Sequence, residues 1–276
     1  MERAPPGSHV ASKAPSRSCS CRNEPAMHEG QHAMTATTTT TVHPDPAIAA
    51  ASDVEGEPTR RTAGRGRWAL AGAAGAIAAF ASIGVSMPTL TEEQASQGVD
   101  VIDELDRSGY HLGFVLGLVG IACLLVAAQG WRRWAEERAP DSTAARLVGQ
   151  GLATTATVNI AFVCLMGSMA LYLPGGPDEG WLSREAIFTN FTLLDFGALL
   201  GWWGAALSAG SVAVLAFGRR KVLPRWMGVV SVVLLVPPLA MAAAMGLPGF
   251  VGFAMPIWLV AISLGMAFGT AGRAAA

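Results

Sequence analysis

The sequence predicts an all-α protein: a polytopic integral membrane bundle of six transmembrane helices, preceded by a disordered N-terminal tail. Three observations lead to this prediction. Hydrophobic residues make up 51% of the 276 residues and charged residues only 14%, whereas a soluble domain is about 25% charged. Six apolar runs are long enough to cross a bilayer, and basic residues lie almost entirely on one side of them.

The predicted tail covers residues 1–67 and is expected to be disordered and cytoplasmic. It is rich in Pro, Ser, Arg and Gly, contains a run of threonines at 37–41, and shows no apolar periodicity. Such a segment buries too little apolar surface to offset the conformational entropy that a chain loses when it becomes ordered. No apolar core of about 7–15 residues precedes residue 68, so a cleaved signal peptide is not predicted.

Two further features of the tail bear on what it could contribute. Met1, Met27 and Met34 are alternative start positions, and a start at Met34 would leave residues 1–33 outside the protein. Residue types that bind zinc cluster at Cys19, Cys21, His28 and His32. Their spacing matches no zinc-finger pattern, and no apolar residues nearby could form a small core around a metal. We therefore expect a chance cluster rather than a metal site.

The membrane domain is predicted at residues 68–273. A helix needs about 20 mostly apolar residues to cross the hydrocarbon core of a bilayer. Apolar runs of this length, numbered span one to span six, lie at residues 68–87, 112–130, 147–173, 191–217, 226–245 and 250–270. The sequence Gly246-Leu247-Pro248-Gly249 predicts a tight hairpin between the last two.

The distribution of charge predicts the orientation of these spans. Thirteen basic residues flank them on one side and two, Arg107 and Arg184, on the other. The thirteen are Arg60, Arg61, Arg65, Arg67, Arg132, Arg133, Arg138, Arg146, Arg219, Arg220, Lys221, Arg225 and Arg273. Because basic loops are retained in the cytoplasm, we expect a multi-pass protein of the plasma membrane with both termini cytoplasmic. Span ends are also marked by tryptophans, expected at headgroup level: Trp68, Trp131, Trp134, Trp181 and Trp226.

The loop at residues 88–110 is the one sizeable outer element. Val99, Ile102 and Leu105 recur every three residues, which predicts a short amphipathic helix lying over the bundle. Its acidic residues are Asp100, Asp103, Glu104 and Asp106, and the first three, which share one helical face, favour a solvated acidic face. The alternative is a cation site, although hard cations usually need a turn that brings several oxygens together.

Two rows of small or polar residues at heptad spacing predict how spans three and four pack. The row on span three is Gln150, Thr154, Thr157, Ala161, Cys164 and Ser168. The row on span four is the predicted packing seam Gly197, Gly201, Gly204, Ser208 and Ser211. Small residues let helices approach closely in lipid, so we expect the two rows to face each other. The alternative for span three is a polar lining for a solute path.

Ionisable side chains inside the bilayer are the best pointers to function, because they are costly there. Asp195, near the outer end of span four, is the leading candidate. It could gather with other polar residues into a functional cluster, whose members are Asn190, His111, Asn159, Thr154 and Thr157. Alternatively, Asp195 is structural and pairs with Arg184 at the rim of the bundle.

The loop between spans four and five carries a resemblance. Phe217-Gly218-Arg219-Arg220 ends one helix, and Val222-Leu223-Pro224-Arg225-Trp226-Met227-Gly228 opens the next. This stretch, within residues 201–239, resembles uncharacterised multi-pass membrane proteins of actinobacterial type whose function is unknown. The resemblance implies a bacterial membrane protein and implies no chemistry.

The sequence contains no P-loop, HExxH, nucleophile elbow or dinucleotide-binding fingerprint. We therefore expect no catalytic residue, cofactor or metal. The expected partners are the lipid bilayer and either a membrane-protein partner or a second copy of the chain, and not nucleic acid. The leading hypothesis is a non-enzymatic accessory or interaction role. The alternative is a small-solute or ion transporter or channel with a polar path along span three near Asp195, and the third is an intramembrane enzyme. A continuous cavity reaching Asp195 would favour transport, whereas a tightly packed bundle would favour the accessory role.

Overall fold

The computed structural model describes residues 66–219 and 221–269. These residues form helices joined by short loops, with no strand among them. The α-helices are α1 (Arg67–Ser86), α2 (Glu92–Ala95), α3 (Arg107–Arg138), α4 (Thr143–Tyr172), α5 (Arg184–Leu200), α6 (Trp203–Phe217), α7 (Arg225–Met245) and α8 (Val251–Phe268), with 3-10 helices at Gly98–Glu104 and Pro248–Phe250. Apart from Gly66 and Arg67, the predicted tail lies outside the described residues, as do its start positions and its cysteine–histidine cluster.

The six predicted spans are confirmed, because six helical segments are long and apolar enough to cross a membrane. They are Arg67–Ser86, Arg107–Arg138, Thr143–Tyr172, Arg184–Phe217, Arg225–Met245 and Pro248–Phe268. Several are longer than the apolar runs, since polar caps at their N-termini extend the helices beyond them. Asp106 accepts hydrogen bonds from the backbone of Ser108 and Gly109 at the start of α3, and Ser142 and Ser183 cap α4 and α5 in the same way.

The sequence predicts span four as one helix. In the structure it consists of two helices, α5 and α6, joined at Gly201 and Trp202. The Trp202 amide bonds to the carbonyl of Leu199, three residues back instead of four, so the helix tightens locally. The Trp202 ring is fully buried at this point. A Cβ atom on Gly201 would lie 2.6 Å from Cγ of Asn159 on α4, so the glycine lets the Asn159 side chain pack directly on the joint.

The helices α4 and α6 cross at a very short distance. A Cβ atom on Gly151 would collide with the carbonyl oxygen of Gly204, and one on Gly204 would collide with the carbonyl oxygen of Gly151. The two backbones are therefore in direct contact. The Ser208 hydroxyl, also buried, donates a hydrogen bond of 2.9 Å to the carbonyl of Val148 across the same crossing. All five residues of the predicted packing seam on span four are buried.

The α4 side of this crossing differs from the predicted row. Gly151 and Thr155 of α4 contact Gly204, and Asn159 contacts Gly201. In contrast, Gln150, Thr154, Thr157, Ala161 and Cys164 are exposed, and Ser168 is half-buried. The prediction chose the neighbouring row of the helix, because small residues occur on both and spacing alone does not say which one meets α6.

The remaining helices are held by similar contacts. A Cβ atom on Gly75 of α1 would lie 2.9 Å from Cβ of Cys123 on α3, and the Ser82 hydroxyl donates a 2.5 Å hydrogen bond to the carbonyl of Gly113. Between α7 and α8, the buried indole N–H of Trp258 donates a 2.9 Å bond to the Ser231 hydroxyl. Small side chains and buried hydroxyls thus let these helices approach closely, beside large buried side chains such as Trp202 and Trp258.

Trp131 and Trp134, which the sequence predicts at headgroup level, are buried inside the bundle. With Trp68 they form two edge-to-face contacts, with ring centroids 5.6 and 5.2 Å apart. The rings therefore pack against neighbouring side chains, and their depth in the membrane stays a prediction. Trp181 and Trp226 are exposed at the ends of their spans.

The loop between α1 and α3 adopts a 3-10 helix, Gly98–Glu104, where the sequence predicted a short amphipathic helix. The three-residue spacing of Val99, Ile102 and Leu105 is the period of a 3-10 helix, in which residues i and i+3 are aligned. Ile102 and Leu105 are buried. One turn of α-helix precedes it, closed by a capping box between Thr91 and Gln94.

An arginine of α5 ties this loop to the bundle. The Arg184 guanidinium donates hydrogen bonds to both Asp103 carboxylate oxygens, at 3.0 and 2.9 Å, and to Asp100 at 3.4 Å. The predicted pairing of Arg184 with Asp195 was therefore wrong. Its physical reason is local, because the 3-10 period brings Asp100 and Asp103 to one face directly beside Arg184. We refer to this end of the bundle as the acidic-loop end and to the opposite end, where α3 meets α4, as the arginine end.

Filling the α4–α6 crossing should destabilise the bundle. In Gly204→Leu the new side chain would meet the Thr155 hydroxyl and amide, which lie 2.7 and 2.8 Å from the position of a Cβ atom. Overpacking of this kind costs about 1–3 kcal/mol. We expect a clearly lower melting temperature in detergent. Gly84→Leu is the matched control, because nothing lies within 4 Å of a Cβ atom on Gly84. Equal melting temperatures for both variants would contradict the crossing.

Removing the arginine that anchors the loop should loosen the loop without unfolding the spans. Hydrogen bonding from Arg184 holds the pKa of Asp103 below its usual 3.8. The pair therefore stabilises the folded loop in full at neutral pH, and this contribution disappears as the pH falls below about 4. We expect hydrogen–deuterium exchange of residues 98–105, corrected for intrinsic rates, to be up to about fivefold faster in Arg184→Gln at pH 7.

The wild-type loop should lose this protection on acidification, whereas the Arg184→Gln loop should show little further change. Arg133→Gln removes the same charge from an exposed position on α3 and serves as control. Identical pH profiles for the wild type and Arg184→Gln would show that the ion pair does not hold the loop.

Candidate functional site

Asp195, the leading functional candidate, lies on the exposed side of α5 near the acidic-loop end. It lines a cavity of about 20 Å³ whose other walls include the buried Tyr110 and the half-buried Ser86. No ion pair involves Asp195 among the residues that the structure describes. A space of this size holds about one water molecule and no solute.

The other predicted members of the outer cluster do not join Asp195. Asn190 donates a 3.0 Å hydrogen bond to the hydroxyl of Ser168, which links α5 to α4. His111 is exposed at the first turns of α3. Within the described part of the chain, no hydrogen bond connects Asp195, Asn190 and His111. These three residues share one end of the bundle without forming a common site.

Asn159 lies in the middle of α4, and its side chain forms a hydrogen bond within its own helix. Its side-chain nitrogen donates a 2.9 Å hydrogen bond to the carbonyl of Thr155. The rest of the carboxamide lies against the backbone of Gly201. Asn159 thus fills the joint between α5 and α6, a packing position that the sequence alone did not indicate.

Thr154 and Thr157 lie in a second, larger cavity, which we call the α3–α4 groove. Its volume is about 600 Å³. The lining residues come from α3 and α4 and are Arg132, Glu136, Arg146, Gly149, Gln150, Ala153, Thr154, Thr157 and Val158. The side chains of Thr154 and Thr157 are exposed in it, and Thr157 donates a 2.9 Å hydrogen bond to the carbonyl of Ala153.

The two cavities belong to opposite ends of the bundle. On α3, Tyr110 lines the cavity beside Asp195 and Arg132 lines the groove, 22 residues further along, which corresponds to about 33 Å of helix. No residue lines both. The predicted polar cluster of Asp195, Asn190, His111, Asn159, Thr154 and Thr157 is therefore divided among several places in the structure.

Sequence reasoning missed the charged half of the groove. Arg146 precedes Gln150 by four residues and Thr154 by eight, so helical spacing places all three near one face of α4. Arg132 and Glu136 show the same four-residue spacing on α3. The four-residue spacing is visible in the sequence, but the sequence-based prediction used these arginines only to orient the spans. Asp195 and Tyr110 carried no such signal, since they approach each other from different helices.

The described residues offer no group of three or more His, Cys, Asp or Glu side chains that could hold a metal ion. The cavity beside Asp195 is too small for a cofactor, and the groove carries arginine, amide and hydroxyl groups, which bind anions and hydrogen-bond acceptors. The groove is therefore the place where these side chains could recognise another molecule.

The chain was compared with protein-family models, with curated proteins and with solved structures. None of the three comparisons found a match.

Proposed function

We propose that this chain is a multi-pass integral protein of the plasma membrane with a non-enzymatic accessory or interaction role. The observation that carries this proposal is the close packing of α4 on α6. Gly151 and Gly204 bring the two backbones into contact, Asn159 in the middle of α4 packs against Gly201, and the cavity beside Asp195 measures about 20 Å³. A protein that moves solutes needs a path between the two ends, and these contacts favour a packed scaffold.

The residues around the crossing support the same interpretation. Thr155, Trp202, Ala205 and Ser208 are fully buried, and they fill the space between α4 and α6. Buried serine hydroxyls join helices, as in the bonds from Ser208 to the Val148 carbonyl and from Ser82 to the Gly113 carbonyl. Interhelical hydrogen bonds and small residues of this kind are the usual means of association in lipid.

The orientation in this proposal places both termini in the cytoplasm. Arg132 and Arg146 lie at the arginine end of the bundle, and Arg225 begins α7 on the same side by the alternation of the spans. Arg107 and Arg184 belong to the acidic-loop end, where Arg107 donates a 2.8 Å hydrogen bond to the carbonyl of Ala170. This distribution supports a cytoplasmic arginine end.

Transport of a small solute is the second candidate, favoured by the polar α3–α4 groove. Thr154 and Thr157 give its wall hydroxyl groups well inside the predicted third span. Against this candidate, the groove and the cavity beside Asp195 share no lining residue.

Cysteine labelling should show the two ends on opposite sides of the membrane. Gln97→Cys and Arg219→Cys place single thiols at exposed positions, in a chain whose four native cysteines are replaced. In intact cells an impermeant maleimide should label Gln97→Cys only, and Arg219→Cys should react after the membrane is opened. Labelling of both thiols from outside would refute the proposed topology.

Asp195→Asn should leave both stability and solute movement unchanged. Asp195 is exposed and has no ion-pair partner among the described residues, so the change should alter the free energy of unfolding by less than about 0.5 kcal/mol. Asn190→Ala, on the same helix, removes the bond to Ser168 and should cost about 1 kcal/mol.

The same variants test the proposed role in proteoliposomes. Uptake of a solute panel and of protons should match that of protein-free vesicles for the wild type, Asp195→Asn and Asn190→Ala. A different outcome would be pH-dependent uptake by the wild type that is lost in Asp195→Asn while stability is unchanged. This result would contradict the accessory role and establish transport.

A further inference from the structure

The residues that line the α3–α4 groove change from charged to polar to apolar along its length. On α4 its wall passes from Arg146 to Gln150, then to Thr154 and Val158, at steps of four residues. It therefore changes from cationic to amide, to hydroxyl and finally to apolar. At about 1.5 Å per residue, Arg146 and Val158 are about 18 Å apart, roughly half the thickness of a bilayer's hydrocarbon core.

The cationic end of the groove has unused hydrogen-bond donors. Arg132 and Arg146 both line it, from α3 and α4, and neither forms an ion pair with another described residue. Arg146 donates one hydrogen bond, of 3.1 Å, to the carbonyl of Pro140. Each guanidinium carries five N–H donors in a planar fork that suits phosphate oxygens.

The groove opens sideways along the helices. Arg132, Arg146, Thr154, Thr157 and Val158 all have exposed side chains, so the space is reached from the lipid-facing surface of α3 and α4. Gly149 lines the groove, and the stem of Arg132 packs directly on it, since a Cβ atom there would lie 2.7 Å from Cγ of Arg132. A molecule in this groove would lie parallel to α4, with a polar group at the arginine end and an apolar part toward the centre of the membrane.

We propose that the α3–α4 groove binds one anionic phospholipid. Its phosphate lies between Arg132 and Arg146, its ester region beside Gln150 and Thr154, and the start of an acyl chain along Thr157 and Val158. With Glu136 included, the lining carries a formal charge of +1, which a single negative lipid neutralises and a zwitterionic lipid does not. Assignment to the cytoplasmic leaflet rests on the proposed topology, but the binding itself does not.

The test uses the full-length protein in detergent, titrated with phosphatidylglycerol or with phosphatidylethanolamine of the same acyl chains and followed by native mass spectrometry. Phosphatidylglycerol should bind more tightly to the wild type. The double variant Arg132→Gln with Arg146→Gln should weaken that binding about 30-fold, since each arginine near a lipid phosphate contributes about fivefold. Arg133→Gln with Arg225→Gln is the matched control, because both arginines are exposed and neither lines the groove.

A second variant tests the shape of the groove without changing its charge. Thr154→Phe places a ring in the space, at an exposed position where the bundle should fold unchanged, and it should reduce phosphatidylglycerol binding at least tenfold. An unchanged melting temperature shows that the variant is folded. Inorganic phosphate, added to the wild type at constant ionic strength, should neither stabilise the protein nor displace the lipid.

Three outcomes would overturn the proposal. Equal losses in the groove variant and in the matched control would show non-specific surface charge. Phosphatidylethanolamine binding as tightly as phosphatidylglycerol would show that the groove does not select a negative lipid. Inorganic phosphate could stabilise the wild type and Thr154→Phe but not the double variant. This result would show that the site binds a soluble anion instead of a lipid. None of these results depends on solute uptake, so they are independent of the test of the accessory role.

Discussion

The direct backbone contact between Gly151 and Gly204 is the constraint on which the rest of the bundle depends. Because α4 and α6 touch at this point, Ser208 reaches the Val148 carbonyl, Asn159 fits against Gly201 and Trp202 becomes fully buried. The close approach leaves the Thr155 hydroxyl and the Trp202 indole N–H without hydrogen-bond partners among the described residues. Each such group costs about 1–3 kcal/mol, so dense packing must offset that cost.

Much of the fold could be predicted from the sequence because its determinants are local. The number of apolar runs that are long enough to cross a bilayer gives the number of spans. The three-residue period of Val99, Ile102 and Leu105 equals the period of a 3-10 helix and therefore already indicates one. The seam on span four was also recognisable, since Gly204 and Ser208 offer small side chains on one face. Each of these features is determined by a single segment of the chain.

Features that depend on two segments were not predictable in the same way. Arg184 could have met either Asp195 or the loop carboxylates, and the choice depends on where the 3-10 helix brings Asp103. The burial of Trp131 depends on its contact with Trp68 of α1, which lies beside it in the fold and far from it in the sequence. On span three, the rows containing Thr154 and Thr155 both carry small polar residues. The rotation of the helix, set by its neighbours, decides which row is buried.

That rotation also explains why the α3–α4 groove is polar. Once Gly151 and Thr155 face α6, Gln150, Thr154 and Thr157 must face outward, where a bare lipid environment would leave their polar groups unsatisfied. The Thr157 hydroxyl is hydrogen-bonded within its own helix, because it donates to the Ala153 carbonyl. The amide of Gln150 and the guanidinium of Arg132 form no such hydrogen bond with the described residues. Phosphate and ester oxygens would accept their hydrogen bonds, so the packing of α4 on α6 and the polarity of the groove have one physical origin.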